Sequence, residues 1–141
     1  MGGSWIFFAL LAAVFAAMVA ILGKIGIGGV DTVLATALRA IVMAVFLTVV
    51  AAVQGKFALV STVDRSALIF IVGAGVAGAL SWLAYFLALR DGPASGTAAL
   101  DRLSVVFVVL LAALFLGEPL TLRTGLGAAL ITAGALLFVL K

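Results

Sequence analysis

The sequence predicts an all-α integral membrane protein built from five transmembrane helices. Three observations carry this: two-thirds of the chain is apolar, its charges are spread singly, and they cut it into segments as long as a bilayer is thick. Of 141 residues, 67% are hydrophobic and 9% charged, with a mean hydropathy of +1.51, whereas soluble domains carry about 45 to 50% apolar residues. So much apolar surface cannot be hidden in one small core, so it must face lipid or other helices. A helix needs about 20 apolar residues to cross the hydrocarbon. Segments of that kind lie at 5–22, 32–53, 67–89, 96–116 and 122–139, and residues 1–141 read as one domain.

The first segment has no Lys or Arg before Trp5 and leads into further spans, which makes it a span and not a cleaved signal. Gly2 invites a myristoylation reading, but Ile6 stands where Ser or Thr is required. Gly28 and Gly29 then precede Asp31, an N-cap candidate for the second helix. The connector at 54–66 carries Phe57, Leu59 and Val60, which suits a segment lying along the membrane interface. Gly92-Pro93 before Ser95 marks the start of the fourth helix, and Ser95 is its N-cap candidate. Gly117 is a C-terminal stop, Glu118-Pro119 a tight turn, and Thr121 a cap for the last helix.

Five spans put the termini on opposite sides. Lys56, Arg65 and Arg123 then lie on the N-terminal side, and Lys24, Arg39, Arg90, Arg102 and Lys141 on the other. Five against three is a weak bias under the positive-inside rule, so both orientations are expected in one membrane.

Composition also excludes. Cys and His are both absent, which removes disulfides, thiolate nucleophiles, the commonest general base and the usual zinc ligands. No nucleophile and base arrangement is recognisable, so the chain is not expected to be an enzyme or to need a cofactor or metal. The net charge of +3 comes from scattered cations, and nucleic acid is not expected as a partner.

Polar groups inside the hydrocarbon are costly, about 2.5 to 3.5 kcal/mol for a central charge on insertion scales, and so are the candidates for function. Thr32, Thr36, Arg39 and Met43 line one stripe of the second helix, Ser81, Trp82 and Tyr85 share a face of the third, and Asp101 and Ser104 share a face of the fourth, with Arg102 turned away. All fall toward the C-terminal side, where they can converge on one polar vestibule for substrate binding or gating. Structural readings stand beside this one. Arg39 and Asp101 can form an ion pair that only neutralises two buried charges, Arg102 can snorkel to the headgroups, and Trp82 and Tyr85 can be interfacial aromatics. Small residues at Gly73, Ala74, Gly75, Ala77 and Gly78, and at Gly125, Gly127, Ala128, Ala129 and Ala133, suit close helix packing.

The run LSVVFVVLLAALFLGEPLTLRTGLGAALITAGALL at 103–137 resembles the closing segment of the EamA domain of the drug/metabolite transporter superfamily. Its marks are Leu-Ser before an apolar helix, then Leu116-Gly117-Glu118, a Leu-Thr-Leu turn and a Gly-rich last helix. Lys24-Ile25-Gly26, the stretch from Leu34 to Arg39, and Ser81-Trp82 to Tyr85 with Ala88-Leu89 extend the likeness over nearly the whole chain. The resemblance implies one half of a ten-span architecture of inverted repeats. It also implies transport of small organic metabolites in a bacterial inner membrane. A second copy inserted upside down would supply the missing repeat. The alternatives are a subunit that pairs with a different five-span protein and a non-transporting scaffold. The first helix contains no acid, unlike the four-helix small multidrug relatives, so cation efflux of their kind is not expected. Arg39 and Arg102 favour a substrate with a carboxylate or phosphate, and Asp101 is the candidate for proton coupling.

Overall fold

The structure is a computed structural model that describes residues 3–140; the predicted charge at Lys141 and the Gly2 motif lie outside the described residues. Helix accounts for most of the chain, and no strand occurs among the described residues. The long helices are α1 (Ser4–Gly26), α2 (Thr32–Val53) and α3 (Arg65–Asp91), followed by α4 (Ala94–Asp101), α5 (Ser104–Leu111) and α6 (Leu122–Leu137). Four stretches are long and apolar enough to cross a membrane: α1, α2, α3 and the fourth stretch Ala94–Leu116; α6, at 16 residues, is shorter.

By contacts the chain divides into two compact units, one of residues up to Lys24 with those from Asp91 onward, the other Ile25–Arg90. In the first unit α4 and α5 both pack on α6. There Lys24, in the last turn of α1, donates from Nζ to the Gly92 carbonyl at 3.0 Å and ties α1 to the loop ahead of α4. In the second unit Asp31 caps α2 as expected, its Oδ1 accepting from the Leu34 amide at 2.9 Å, which satisfies one of the donors a helix start leaves open. The connector to α3 folds as a 3-10 helix, Lys56–Thr62, that leaves Phe57, Leu59 and Val60 exposed.

Two expectations need correction. Ser95 is not the cap of α4. The helix begins at Ala94, two residues before the expected start, behind Pro93, whose fixed φ suits a helix start and which has no side-chain acceptor to offer. The fourth stretch is also not one continuous α-helix. Between α4 and α5 the amides of Arg102, Leu103, Val105 and Val106 reach back three residues, to Ala99, Leu100, Arg102 and Leu103. This is 3-10 winding in mid-stretch, and hydrophobic periodicity alone cannot distinguish it from α winding. The stretch then ends in a π turn, Ala112–Leu116, closed by Gly117 at φ 68° and by the Glu118 amide donating to the Ala112 carbonyl at 3.2 Å. Only glycine enters that left-handed region cheaply, so the stop read at Gly117 is where the helix stops. Thr121 caps α6 in a reciprocal box with Thr124, donor and acceptor exchanged at 3.0 and 3.2 Å.

Candidate functional site

Within the unit Ile25–Arg90, α2 and α3 flank an open cleft of about 690 Å³. The spacing that places Thr36, Arg39 and Met43 on one stripe of α2 does bring all three to its wall, with Ala37, Ala40, Ala44 and Leu47 beside them. Facing them on α3 are Ala74, Gly75, Gly78, Ala79, Trp82 and Leu83. Arg39 is the one charged residue among the lining groups.

The Arg39 guanidinium carbon stands 3.6 Å from the centroid of the Trp82 ring and 5.6 Å from that of Phe86. Trp82 packs edge-on against Tyr85 at 5.6 Å and tilted against Phe86 at 6.0 Å, and Phe86 is buried. Trp82 and Phe86 form a shelf under the cation, with Tyr85 packed against both rings, and such cation contacts are worth about 0.5 to 2 kcal/mol each. Stacking engages the face of a guanidinium and leaves its in-plane N–H donors available. Among the described residues of this unit, nothing takes them up. Its two acids cap helix starts, Asp31 at Leu34 and Asp64 at the Ser66 amide. The geometry is that of a positioned cation with open hydrogen-bonding edges, suited to a carboxylate or phosphate.

Below the cation the cleft is apolar. From Arg39 to Leu47 on α2, and from Trp82 to Ala74 on α3, it runs roughly 12 Å at 1.5 Å per residue. Gly75 and Gly78 provide its floor, and a Cβ built on either meets no atom within 4 Å. Among the described residues no atom lies within 4 Å of a Cβ built on these glycines or on Gly73, Gly125 and Gly127, so the close helix approach expected at them is not made within this chain.

The remaining predicted residues lie elsewhere. Thr32 is not part of the lining. It is buried, and its Oγ1 has no hydrogen-bond partner among the described residues, while its carbonyl accepts from Thr36 Oγ1 at 2.7 Å. An orphaned buried hydroxyl costs about 1 to 3 kcal/mol, so Thr32→Val is expected to raise stability by about 1 kcal/mol, read as a higher midpoint of thermal unfolding in detergent. Ser81 is exposed and outside the cleft, and Tyr85 is not part of the lining but packs against Trp82, which is, and against Phe86. Asp101, Arg102 and Ser104 belong to the other unit. There Asp101 Oδ2 lies 3.9 Å from Arg102 Nη2, so the two charges that helical spacing sets apart do meet across a loose contact. The 3-10 turn after them eclipses positions three apart, which keeps Asp101 and Ser104 on one face. Sequence reading missed Phe86 and the alanine row Ala37, Ala40 and Ala44. The latter was visible as small residues three and four apart on the stripe of Arg39.

The sequence model of the EamA-like transporter family matches residues 3–140. An uncharacterized transporter in the cobO 3' region of Sinorhizobium sp. is 42% identical over 137 residues, covering 97% of each chain. A probable 4-amino-4-deoxy-L-arabinose-phosphoundecaprenol flippase subunit ArnF from Pseudomonas fluorescens is 44% identical over 78 residues, 53% of this chain and 56% of that one. No solved structure matches.

Proposed function

Because the chain belongs to the EamA-like transporter family, we propose that it carries small organic metabolites across the membrane as a homodimer of antiparallel copies working by alternating access. The observation that carries the reading is Arg39, a cation held on Trp82 at the wall of the α2–α3 cleft with no acid of its unit beside it. Under this reading α6 is a fifth crossing, its 16 helical residues extended by the apolar Phe138 to Leu140. Arg39, Met43, Ser81, Trp82, Tyr85, Asp101, Arg102 and Ser104 then serve substrate binding and gating, with Asp101 taking the proton. Five helices are few to enclose a path gated at both ends, and a second inverted copy completes the repeat. The compartment proposed is the bacterial inner membrane.

The test is flux of radiolabelled organic anions into liposomes that contain this protein alone. Flux together with a stable purified dimer is the expected result. A second reading is favoured by the name of the Pseudomonas relative, a flippase subunit: this chain pairs with a different small membrane protein. In that case the protein alone gives no flux, and co-reconstitution with the partner restores it.

Antiparallel dimers need both orientations. Cysteine is absent from the native chain, so Ser4→Cys and Leu140→Cys each give one reporter thiol. Both are expected to be labelled in part by a membrane-impermeant maleimide on intact cells. Full labelling of one and none of the other means a fixed topology, and excludes the dimer of inverted copies.

A further inference from the structure

We propose that the α2–α3 cleft binds a lipid-linked anion, a phosphate or carboxylate head joined to a single hydrocarbon chain, in preference to a fully water-soluble metabolite. This rests on the reading of the chain as a transporter with Arg39 in its site. Arg39 lies seven residues into α2, roughly 10 Å along its axis, so a ligand head must come that deep to meet it. A small, many-sided polar solute placed there would leave most of its hydrogen-bonding groups against alanine and glycine, and unsatisfied polar groups are costly. An anion with a chain leaves far fewer, since its polar atoms are gathered in one head at Arg39. Its head takes the in-plane donors of the stacked guanidinium, and its chain continues along the apolar walls toward Leu47 and Ala74. The floor at Gly75 and Gly78, with no atom within 4 Å of a Cβ at either position, is the space the chain occupies. Hydrocarbon already surrounds a membrane helix, so burial of the chain adds little driving force there. The chain instead anchors the head in the membrane and raises its concentration beside Arg39, an advantage that free phosphate lacks, while the head supplies the charge-assisted contacts.

Trp82 is both part of the site and its reporter. The chain has two tryptophans, and Trp5→Phe leaves Trp82 as the single emitter beneath Arg39. The protein in phosphatidylcholine nanodiscs is titrated with dodecyl phosphate, inorganic phosphate and dodecanol, and Trp82 emission is followed. Dodecyl phosphate is expected to give a saturable change, with inorganic phosphate and dodecanol at least about tenfold weaker. Arg39→Gln is expected to weaken the dodecyl phosphate response by at least about tenfold, and Arg39→Lys by less, since the charge remains without the fork. Gly78→Leu, whose Cβ meets no atom within 4 Å and whose side chain takes up space in the floor, is expected to remove the response. Equal affinity for inorganic phosphate overturns the proposal and leaves a site for soluble anions. An unchanged response in Arg39→Gln overturns it as non-specific partitioning. If Gly78→Leu breaks a dimer and leaves the response intact, the groove is a seam between two copies and the proposal fails. Since binding is read without transport, these failures are distinct from a lack of flux in liposomes.

Discussion

Arg39→Gln is expected to cut anion flux by roughly 100-fold while the protein stays folded, the loss of one charge-assisted contact worth about 3 kcal/mol. The fold survives because the cation has no acid of its own unit to orphan: its contacts are the faces of Trp82 and Phe86. Removing a stacked guanidinium forfeits about 0.5 to 2 kcal/mol and also relieves the helix of a charge that is expensive in hydrocarbon. Stability therefore changes by less than the transport does. The check is the initial rate of uptake at matched protein density beside the unfolding midpoint in detergent. A variant that unfolds in parallel with its loss of flux would show Arg39 to be a packing element, and retained flux would remove it from the site.

Asp101→Asn is the second large effect. Uptake driven by a pH gradient is expected to fall by roughly 100-fold, while exchange of labelled for unlabelled substrate at equilibrium stays within about threefold, because an amide keeps the shape and loses only the proton it can carry. Its partner Arg102 is 3.9 Å away at one contact, a loose pair of the kind worth about 1 kcal/mol or less, so lost stability does not explain such a result. Combining Arg39→Ala with Asp101→Ala separates the two readings of these charges. A purely neutralising pair predicts that the double variant recovers what each single change loses, whereas transport chemistry predicts that it stays inactive.

Much of this architecture is legible from local chemistry. Asp31, Gly117 and Thr121 do in the fold what their side chains announce, since a cap or a left-handed turn depends on few atoms and near neighbours. The α2 stripe of Thr36, Arg39 and Met43 comes from helical spacing alone. Spacing does not tell which helix faces the stripe. The shelf of Trp82 and Phe86 under Arg39, and the glycine floor beside it, depend on how α2 and α3 come together. Glycines at short spacing invite the close-packing interpretation equally well, and what tells the two apart within this chain is the empty space above Gly75 and Gly78. Thr32 shows the same limit. It shares the stripe's periodicity, yet it is buried away from the cleft lining at the start of α2.

The change of winding between α4 and α5 sets the two pieces of the fourth stretch out of phase. A 3-10 turn rotates about 120° per residue against about 100° in an α-helix, so each tightened residue turns the downstream helix by roughly 20°. From the turn onward, the more sheltered positions include Leu103, Val106, Val109 and Ala112. The face α5 offers to α6 is thus aimed by the turn as well as by the order of its residues. A substitution that restored regular α winding at Arg102 and Leu103 would swing that face by roughly 40° with no change in α5 itself. The orientation of one half of this stretch is stored in two residues of the other's ending.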